Sequence, residues 1–141
     1  MATSMMATPW LPPPHHLPFL LHAAVELPAG LKFITSPLAQ VPARSSSPEV
    51  ALIVRSYGAL LLTTVALSLH FCQRPVYDDT SAVFSLAMAT YHISPVCRAY
   101  SRIRHGIGME GPQRGALGGP VFHFVVHGAC LVGLVVGWMK S

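Results

Sequence analysis

The side chains best suited to chemistry in this sequence are a glutamate and several histidines within apolar segments. His22 and Glu26 are four residues apart, and so are His123 and His127, so each pair would share one face of a helix. His92 lies in a separate apolar segment. Imidazole, with an unperturbed pKa of about 6.5, can exchange protons with a buried carboxyl group. These residues predict either a proton-exchanging site or a structural network of hydrogen bonds.

Metal binding needs more ligands than this spacing supplies. His123 and His127 can share one metal ion, but no third ligand accompanies them in the sequence and the HExxH pattern is absent. Cys72, Cys97 and Cys130 have neither zinc-finger spacing nor the even count of a disulfide framework, so they are interpreted as core thiols. The sequence therefore predicts structural histidines, no metal and no cofactor.

The composition places these residues in a membrane. Hydrophobic residues make up 52% of the 141 residues, charged residues only 10%, and the mean hydropathy is +0.50. Soluble domains average about 25% charged residues. The net charge of +4 comes from basic residues that are scattered or flank apolar segments, without a nucleic-acid motif. Membrane lipid is therefore the expected acidic partner, and nucleic acid is not.

Four apolar segments predict an all-α fold, a membrane four-helix bundle. A bilayer-spanning helix needs about 20 residues, and the predicted helices cover about 17–39, 48–71, 80–104 and 120–139. Ser46–Glu49 and Asp78–Thr80 carry helix-capping residues before the second and third helices. Residues 1–16 are rich in proline and predict a flexible tail, so residues 17–141 form the single domain.

The first segment has two interpretations because it contains Glu26, Pro28, Gly30 and Lys32. It is either a full span or a kinked, partly interfacial helix. Pro28 cannot donate a backbone hydrogen bond to the carbonyl of Ala24, and a bilayer tolerates such a carbonyl only where protein or water satisfies it. A spanning version must therefore face protein on that side.

The distribution of basic residues predicts the orientation. Arg74 and Lys140 fall on one side of the predicted bundle; the other side carries Arg44, Arg55, Arg98, Arg102, Arg104 and Arg114. The positive-inside rule then places the loops around 40–50 and 98–119 in the cytosol and both termini outside or in a lumen. The chain is predicted to be multi-pass in an endomembrane or the plasma membrane.

Charges within hydrocarbon require partners, so the ionisable residues should converge. The predicted interior cluster contains His22, Glu26, Arg55, His92, His123 and His127, with His123 at its mouth and His22 at its deep edge. The pairing we expect first is Glu26 with Arg55, because a guanidinium group can donate two hydrogen bonds to one carboxylate. Tyr57 and Tyr91 either join this cluster or pack elsewhere.

Two further sets of residues predict contacts of the helices. Arg98, Arg102 and Arg104 would extend the third helix into anionic lipid headgroups, or serve only to set its orientation. Ala129, Gly133 and Gly137 form a ladder of small residues that allows close helix packing, either within the bundle or in a homodimer.

Several segments of the chain resemble those of small uncharacterised fungal four-span integral membrane proteins. The segments are HAAVELPAGLKFITSP (22–37), RSYGALLLTTVALSLHF (55–71), YHISPVCRAYSRI (91–103) and GGPVFHFVVHGACL (118–131). Such proteins share a Glu-Leu-Pro first helix, a Tyr-His-x-x-Pro-x-x-Arg-Ala third helix and a histidine-bearing last helix. The resemblance implies the four-span topology and no known activity.

These observations lead to two main functional hypotheses. The first is a non-catalytic membrane bundle, stabilised by its polar cluster, that binds lipid or a protein partner. The second is a membrane-embedded enzyme or binder that uses Glu26 and the histidines on an amphiphilic small molecule. A proton or ion pathway through the same groups is a third. A cavity reaching Glu26 would favour the second hypothesis, and a closed network would favour the first.

Overall fold

A computed structural model describes residues 12, 14–41, 45–108 and 118–140 of the chain. Within these ranges the protein is helical and contains no strand, which confirms the all-α class. The described α-helices are α1 (Leu17–Thr35), α2 (Pro48–Cys72), α3 (Asp79–Arg104) and α4 (Gly119–Met139). Two short 3-10 helices, Pro14–His16 and Pro37–Gln40, flank α1.

Side-chain caps define the starts of α2 and α3. The hydroxyl of Ser47 accepts a hydrogen bond from the backbone N–H of Val50 at 3.2 Å. The N-cap is therefore Ser47, one residue after Ser46, the first residue of the predicted capping segment. The carboxylate of Asp78 accepts from the backbone N–H of Ser81 at 3.0 Å. Both caps satisfy N–H groups that have no partner inside the helix.

Helix α1 begins at Leu17, as predicted, but its end and the segment before it differ from the prediction. It continues through Pro28 and ends at Thr35 rather than near residue 39, and the 3-10 helix Pro37–Gln40 completes the segment. At its start, Pro14–His16 was predicted to belong to the flexible tail, yet it forms a 3-10 helix and the His16 ring is buried. The rest of the predicted tail, apart from Pro12, lies outside the described residues.

The helices form two antiparallel hairpins, α1 with α2 and α3 with α4, and α1 also packs against α4. Helices α1 and α2 approach most closely at two buried glycines: a Cβ atom added to Gly58 would lie 2.9 Å from the carbonyl oxygen of Gly30. In the other hairpin, the buried hydroxyl of Ser85 donates to the carbonyl of Leu134 at 2.8 Å. Close backbone approach therefore sets the spacing of the first hairpin, and a hydrogen bond from a side chain to the backbone joins the helices of the second.

One end of the bundle, which we call the turn end, contains the α2–α3 turn. An aromatic cluster fills it, defined as His16, Phe19, Phe71, Tyr77 and Phe84. The rings of Phe71 and Phe84 stack with their centroids 4.3 Å apart, and Phe19 lies 5.5 Å from Phe84. Because these residues come from both hairpins, the cluster joins them.

Three described helical segments are long and apolar enough to cross a membrane: Pro14–Thr35, Pro48–Cys72 and Gly119–Met139. Helix α3 falls outside this group because its composition is more polar. Its polar residues Ser81, Ser85 and His92 are buried. Large apolar side chains, such as Val83 of α3, are exposed on all four helices.

Candidate functional site

A chain of hydrogen-bonded side chains crosses the middle of the bundle. His22 of α1 lies between two partners: its Nε2 is 3.1 Å from Thr64 Oγ1 of α2, and its Nδ1 is 2.9 Å from His92 Nε2 of α3. His92 Nδ1 is in turn 3.0 Å from Nδ1 of His127 on α4. We call these four residues the histidine chain. It takes one residue from each helix and therefore joins both hairpins.

When the Thr64 hydroxyl donates to the carbonyl of Leu61, neutral rings have one arrangement of protons along this chain. The hydroxyl of Thr64 donates its proton to the carbonyl of Leu61 at 2.8 Å, so it must accept from His22 Nε2–H. His22 Nδ1 is then an acceptor and takes the proton of His92 Nε2. His92 Nδ1 accepts from His127 Nδ1–H, which leaves Nε2 of His127 as an unprotonated acceptor.

Glu26 lies one helical turn after His22 on the buried stripe of α1. Its side chain is 3% exposed, and its Oε1 atom is 3.5 Å from His127 Nδ1. Among the described residues, Oε1 has no hydrogen-bond partner. A buried polar atom without a partner is uncommon and costly, and such atoms often mark a site that receives a ligand or an ion.

A cavity of about 320 Å³ reaches the carboxyl group of Glu26. It lies between α1 and α4, and His123 and His127 share its polar end with Glu26. The rest of the lining is apolar or small: Ala24, Val25, Pro28, Ala29, Gly118 and Phe122. Pro28 has no N–H to donate to the carbonyl of Ala24, another lining residue, so this carbonyl lacks its usual helical partner. The cavity is thus apolar with one polar end.

Most of the predicted cluster comes together, but Arg55 does not join it. His22, Glu26, His92 and His127 are all buried at the histidine chain, and His123 lines the neighbouring cavity. Arg55 is exposed and donates to the carbonyl of Ile34, near the end of α1. Ile34 is two helical turns beyond Glu26, so the expected Glu26–Arg55 pair does not form. A long arginine side chain reaches the end of a neighbouring helix more cheaply than it enters a bundle.

Tyr91 and Tyr57 border the histidine chain. The Tyr91 ring packs edge-on against His22, with their centroids 5.7 Å apart, and its hydroxyl lies 3.5 Å from that of Tyr57. Thr64 was not selected from the sequence, because a threonine within an apolar helix commonly bonds to its own backbone. Thr64 does so, and the same oxygen also serves His22.

The predicted packing ladder of α4 divides between two environments. Gly137 is buried, and an added Cβ atom would lie 3.3 Å from the hydroxyl of Tyr77. A Cβ atom on Gly133 would lie 3.3 Å from the ring of Pro18. Both glycines therefore pack within the bundle, while Ala129 is exposed.

The three arginines at the end of α3 also differ from one another. Arg98 and Arg104 are exposed. Arg102 is partly buried, and its guanidinium group lies over Gly108. Gly106 and Gly108 both have a positive φ, of 66° and 71°. These left-handed glycines end the helix after the arginines.

No protein-family model matches the chain, and comparisons with curated proteins and with solved structures find no significant similarity. The resemblance to fungal four-span proteins therefore stays a prediction. Function has to be inferred from the geometry of the site itself.

Proposed function

We propose that this protein is a four-span integral membrane protein that binds a small amphiphilic molecule in the cavity between α1 and α4. The observation that carries the proposal is the cavity that reaches Glu26, a buried carboxyl group whose Oε1 atom has no hydrogen-bond partner among the described residues. This favours the binding hypothesis over a closed, purely structural network.

The distribution of polarity in α3 supports a fourth span. Residues 80–97 contain no lysine, arginine, aspartate or glutamate. The buried residues Ser81, Ser85 and His92 lower the average hydropathy, whereas Val83 is 69% exposed and Ile93 is 49% exposed. A helix that buries these polar residues and exposes mainly apolar ones suits a lipid environment, because lipid has no water to satisfy outward polar groups. The exposed Thr90 hydroxyl donates to the carbonyl of Ala87 in its own helix.

The polar end of the cavity fits a ligand that donates a hydrogen bond. Glu26 Oε1 has no hydrogen-bond partner among the described residues, and Nε2 of His127 is an acceptor in the proton arrangement in which Thr64 donates to Leu61. The apolar lining, which includes Phe122 and Pro28, suits a hydrocarbon body. We therefore infer an amphiphile whose head is a hydroxyl or an amine.

Exposed lining residues suggest that the ligand reaches the cavity from the membrane. Ala24, Pro28 and Phe122 belong to the cavity lining and are also exposed on the outside of the bundle. In a four-span arrangement this surface faces lipid. A molecule dissolved in the bilayer would then enter sideways between α1 and α4.

Binding of matched amphiphiles tests this function. Decanol, decylamine and decanoate share a chain length and differ in their heads, and their binding to the purified protein can be followed by native mass spectrometry. Decanol and decylamine should bind, and decanoate should not, because it brings a second carboxylate to Glu26 and has no proton to donate. Ala29→Phe should block the cavity, while His70→Gln, at an exposed position near the turn end, should bind normally. Equal binding of all three molecules, unchanged by Ala29→Phe, would contradict the proposal.

The proposed topology has a separate test. The chain contains no asparagine, so single engineered glycosylation sequons report on each loop without background. With the loops around 40–50 and 98–119 in the cytosol, only sequons at the termini or in the α2–α3 turn should be modified in microsomes. Modification within 98–119 would overturn the orientation.

Anionic lipid is the further partner that we propose, at the exposed Arg98 and Arg104. Each arginine near an acidic leaflet is worth about 1 kcal/mol. A peptide covering 96–114 should bind liposomes more strongly as their phosphatidylserine content rises and more weakly as salt is added.

A further inference from the structure

We propose that His22, Glu26 and His92 bind one divalent first-row metal ion, with zinc as the best fit. This inference goes beyond amphiphile binding and does not depend on it. One potential ligand atom of each of the three residues lies within 4.8 Å of the other two, and all three residues are buried. The site joins the two hairpins, because two ligands come from α1 and one comes from α3.

The spacing of the donors is close to what such an ion needs. Zinc binds nitrogen and oxygen at about 2.0–2.2 Å in tetrahedral geometry, which places neighbouring donors about 3.3 Å apart. His22 Nδ1 and His92 Nε2 are 2.9 Å apart. For both nitrogens to bind one ion, the two rings need to separate by a few tenths of an ångström and to turn so that both lone pairs point at the ion.

Glu26 provides a reason for the ion to bind. Its Oε1 atom is buried and has no hydrogen-bond partner among the described residues. A divalent ion would pair the carboxylate with positive charge and replace a missing interaction. Two imidazoles and one carboxylate also form a set of three protein ligands that leaves a fourth position open, as in catalytic zinc sites. Because Glu26 also lines the cavity, that position would be next to the cavity.

The outer partners of a metal site are already in place. A metal-bound histidine usually donates its second ring N–H to a fixed acceptor. His22 Nε2 has such an acceptor in Thr64 Oγ1 at 3.1 Å, and His92 Nδ1 has one in His127 Nδ1 at 3.0 Å. In each ring, the hydrogen bond made by the second nitrogen therefore orients the nitrogen that would bind the metal.

Metal binding would rearrange the protons of the histidine chain. Without metal, His92 carries its proton on Nε2 and accepts at Nδ1 from His127. With metal on Nε2, the proton of His92 moves to Nδ1, and His127 must accept there and carry its own proton on Nε2. His127 then changes from an acceptor to a donor at Nε2, which ¹⁵N NMR of labelled histidines can follow.

Titration with cobalt tests the site, because four-coordinate cobalt absorbs strongly in visible light and replaces zinc in such sites. The detergent-solubilised, full-length protein without added amphiphile should bind one cobalt ion per chain, and zinc should displace it. His22→Gln, Glu26→Gln and His92→Gln should each abolish this absorption. His127→Gln, which removes an outer partner, should weaken binding by about 10- to 100-fold. His70→Gln is the matched control at an exposed histidine and should bind like the wild type.

The outcomes separate this site from adventitious binding. No cobalt binding by the wild type, or binding that survives both Glu26→Gln and His92→Gln, would overturn the proposal. If the variants do not fold, X-ray absorption of the zinc-loaded wild type gives the same decision, since the site requires two imidazoles and one carboxylate around each zinc. A different number of imidazoles would also overturn it. Cobalt absorption reports the donors around the ion and decanol binding reports the cavity, so failure of one proposal is distinguishable from failure of the other.

Discussion

Two neighbouring regions along α1 differ in what surrounds their buried side chains. At the turn end, Phe19 is 1% exposed and packs within the aromatic cluster. One and two helical turns further on, His22 and Glu26 occupy the same buried stripe but lie at the histidine chain and beside a cavity. The first region is packed with rings, although both ring nitrogens of His16 and the hydroxyl of Tyr77 have no hydrogen-bond partner among the described residues. The second region has a carboxyl oxygen without such a partner, and that oxygen borders a cavity. The comparison suggests that one helix contributes stability at one end and binding at its middle.

The largest loss of stability should come from a substitution in the aromatic cluster. Phe19→Ala removes a fully buried ring from contact with Phe71 and Phe84 and should lower the free energy of unfolding by about 3–5 kcal/mol. Leu20→Ala, at the neighbouring exposed position, should cost far less. Reversible unfolding in detergent measures both variants. Equal losses would show that the aromatic cluster is not the stabilising region.

The next effect tests how α1 is held against α2. Gly58→Ala places a Cβ atom 2.9 Å from the carbonyl oxygen of Gly30, so the helices must separate, at a cost of about 1–3 kcal/mol. Gly128→Ala is the matched control, because no atom lies within 4 Å of its added Cβ. A Gly58→Ala protein as stable as Gly128→Ala would mean that this close approach does not position α1.

Double-mutant cycles sharpen the account of the polar region. His22→Leu or His92→Leu alone leaves a buried ring nitrogen without its partner, at about 1–3 kcal/mol each. The double variant should therefore lose less than the sum of the two single losses. Glu26→Gln and Arg55→Met should instead add within about 0.5 kcal/mol, because Arg55 bonds to Ile34. Strong coupling between Glu26 and Arg55 would restore the pairing predicted from the sequence.

The smallest effect concerns the α2–α3 turn, where Asp78 pairs with Arg74. A hydrogen bond from the backbone N–H of Ser81 lowers the pKa of Asp78, and the hydroxyl of Ser81 and the guanidinium of Arg74 lower it further. Because the folded pKa lies below the unfolded value of about 3.9, this stabilisation is complete above that value and is lost as pH falls through the folded pKa.

Stability curves of the wild type and Asp78→Asn measure this effect. The two curves should differ above about pH 4 and converge at lower pH. A constant difference across this range would show that the ionised carboxylate contributes nothing beyond what asparagine supplies as a cap.

The sequence by itself determined the four helices and most of the polar residues that they bury, although Cys97, interpreted as a core thiol, and Arg55 are exposed. Apolar length, the capping segments Ser46–Glu49 and Asp78–Thr80, and the four-residue spacing of His22 and Glu26 act within one helix, so a linear pattern records them. The same pattern predicted an end of α1 near residue 39, whereas the helix ends at Thr35 and the 3-10 helix Pro37–Gln40 follows.

Only the tertiary structure decided which side chains meet. The depth and rotation of one helix against another bring Thr64 to His22, keep Arg55 at the surface and leave Glu26 beside a cavity. A change in helix rotation of a few tens of degrees would exchange these partners without altering any hydrophobic pattern. Hydrophobic periodicity specifies a face about 100° wide, whereas a hydrogen bond requires atoms within about 3 Å, so the partners depend on packing that no single segment contains.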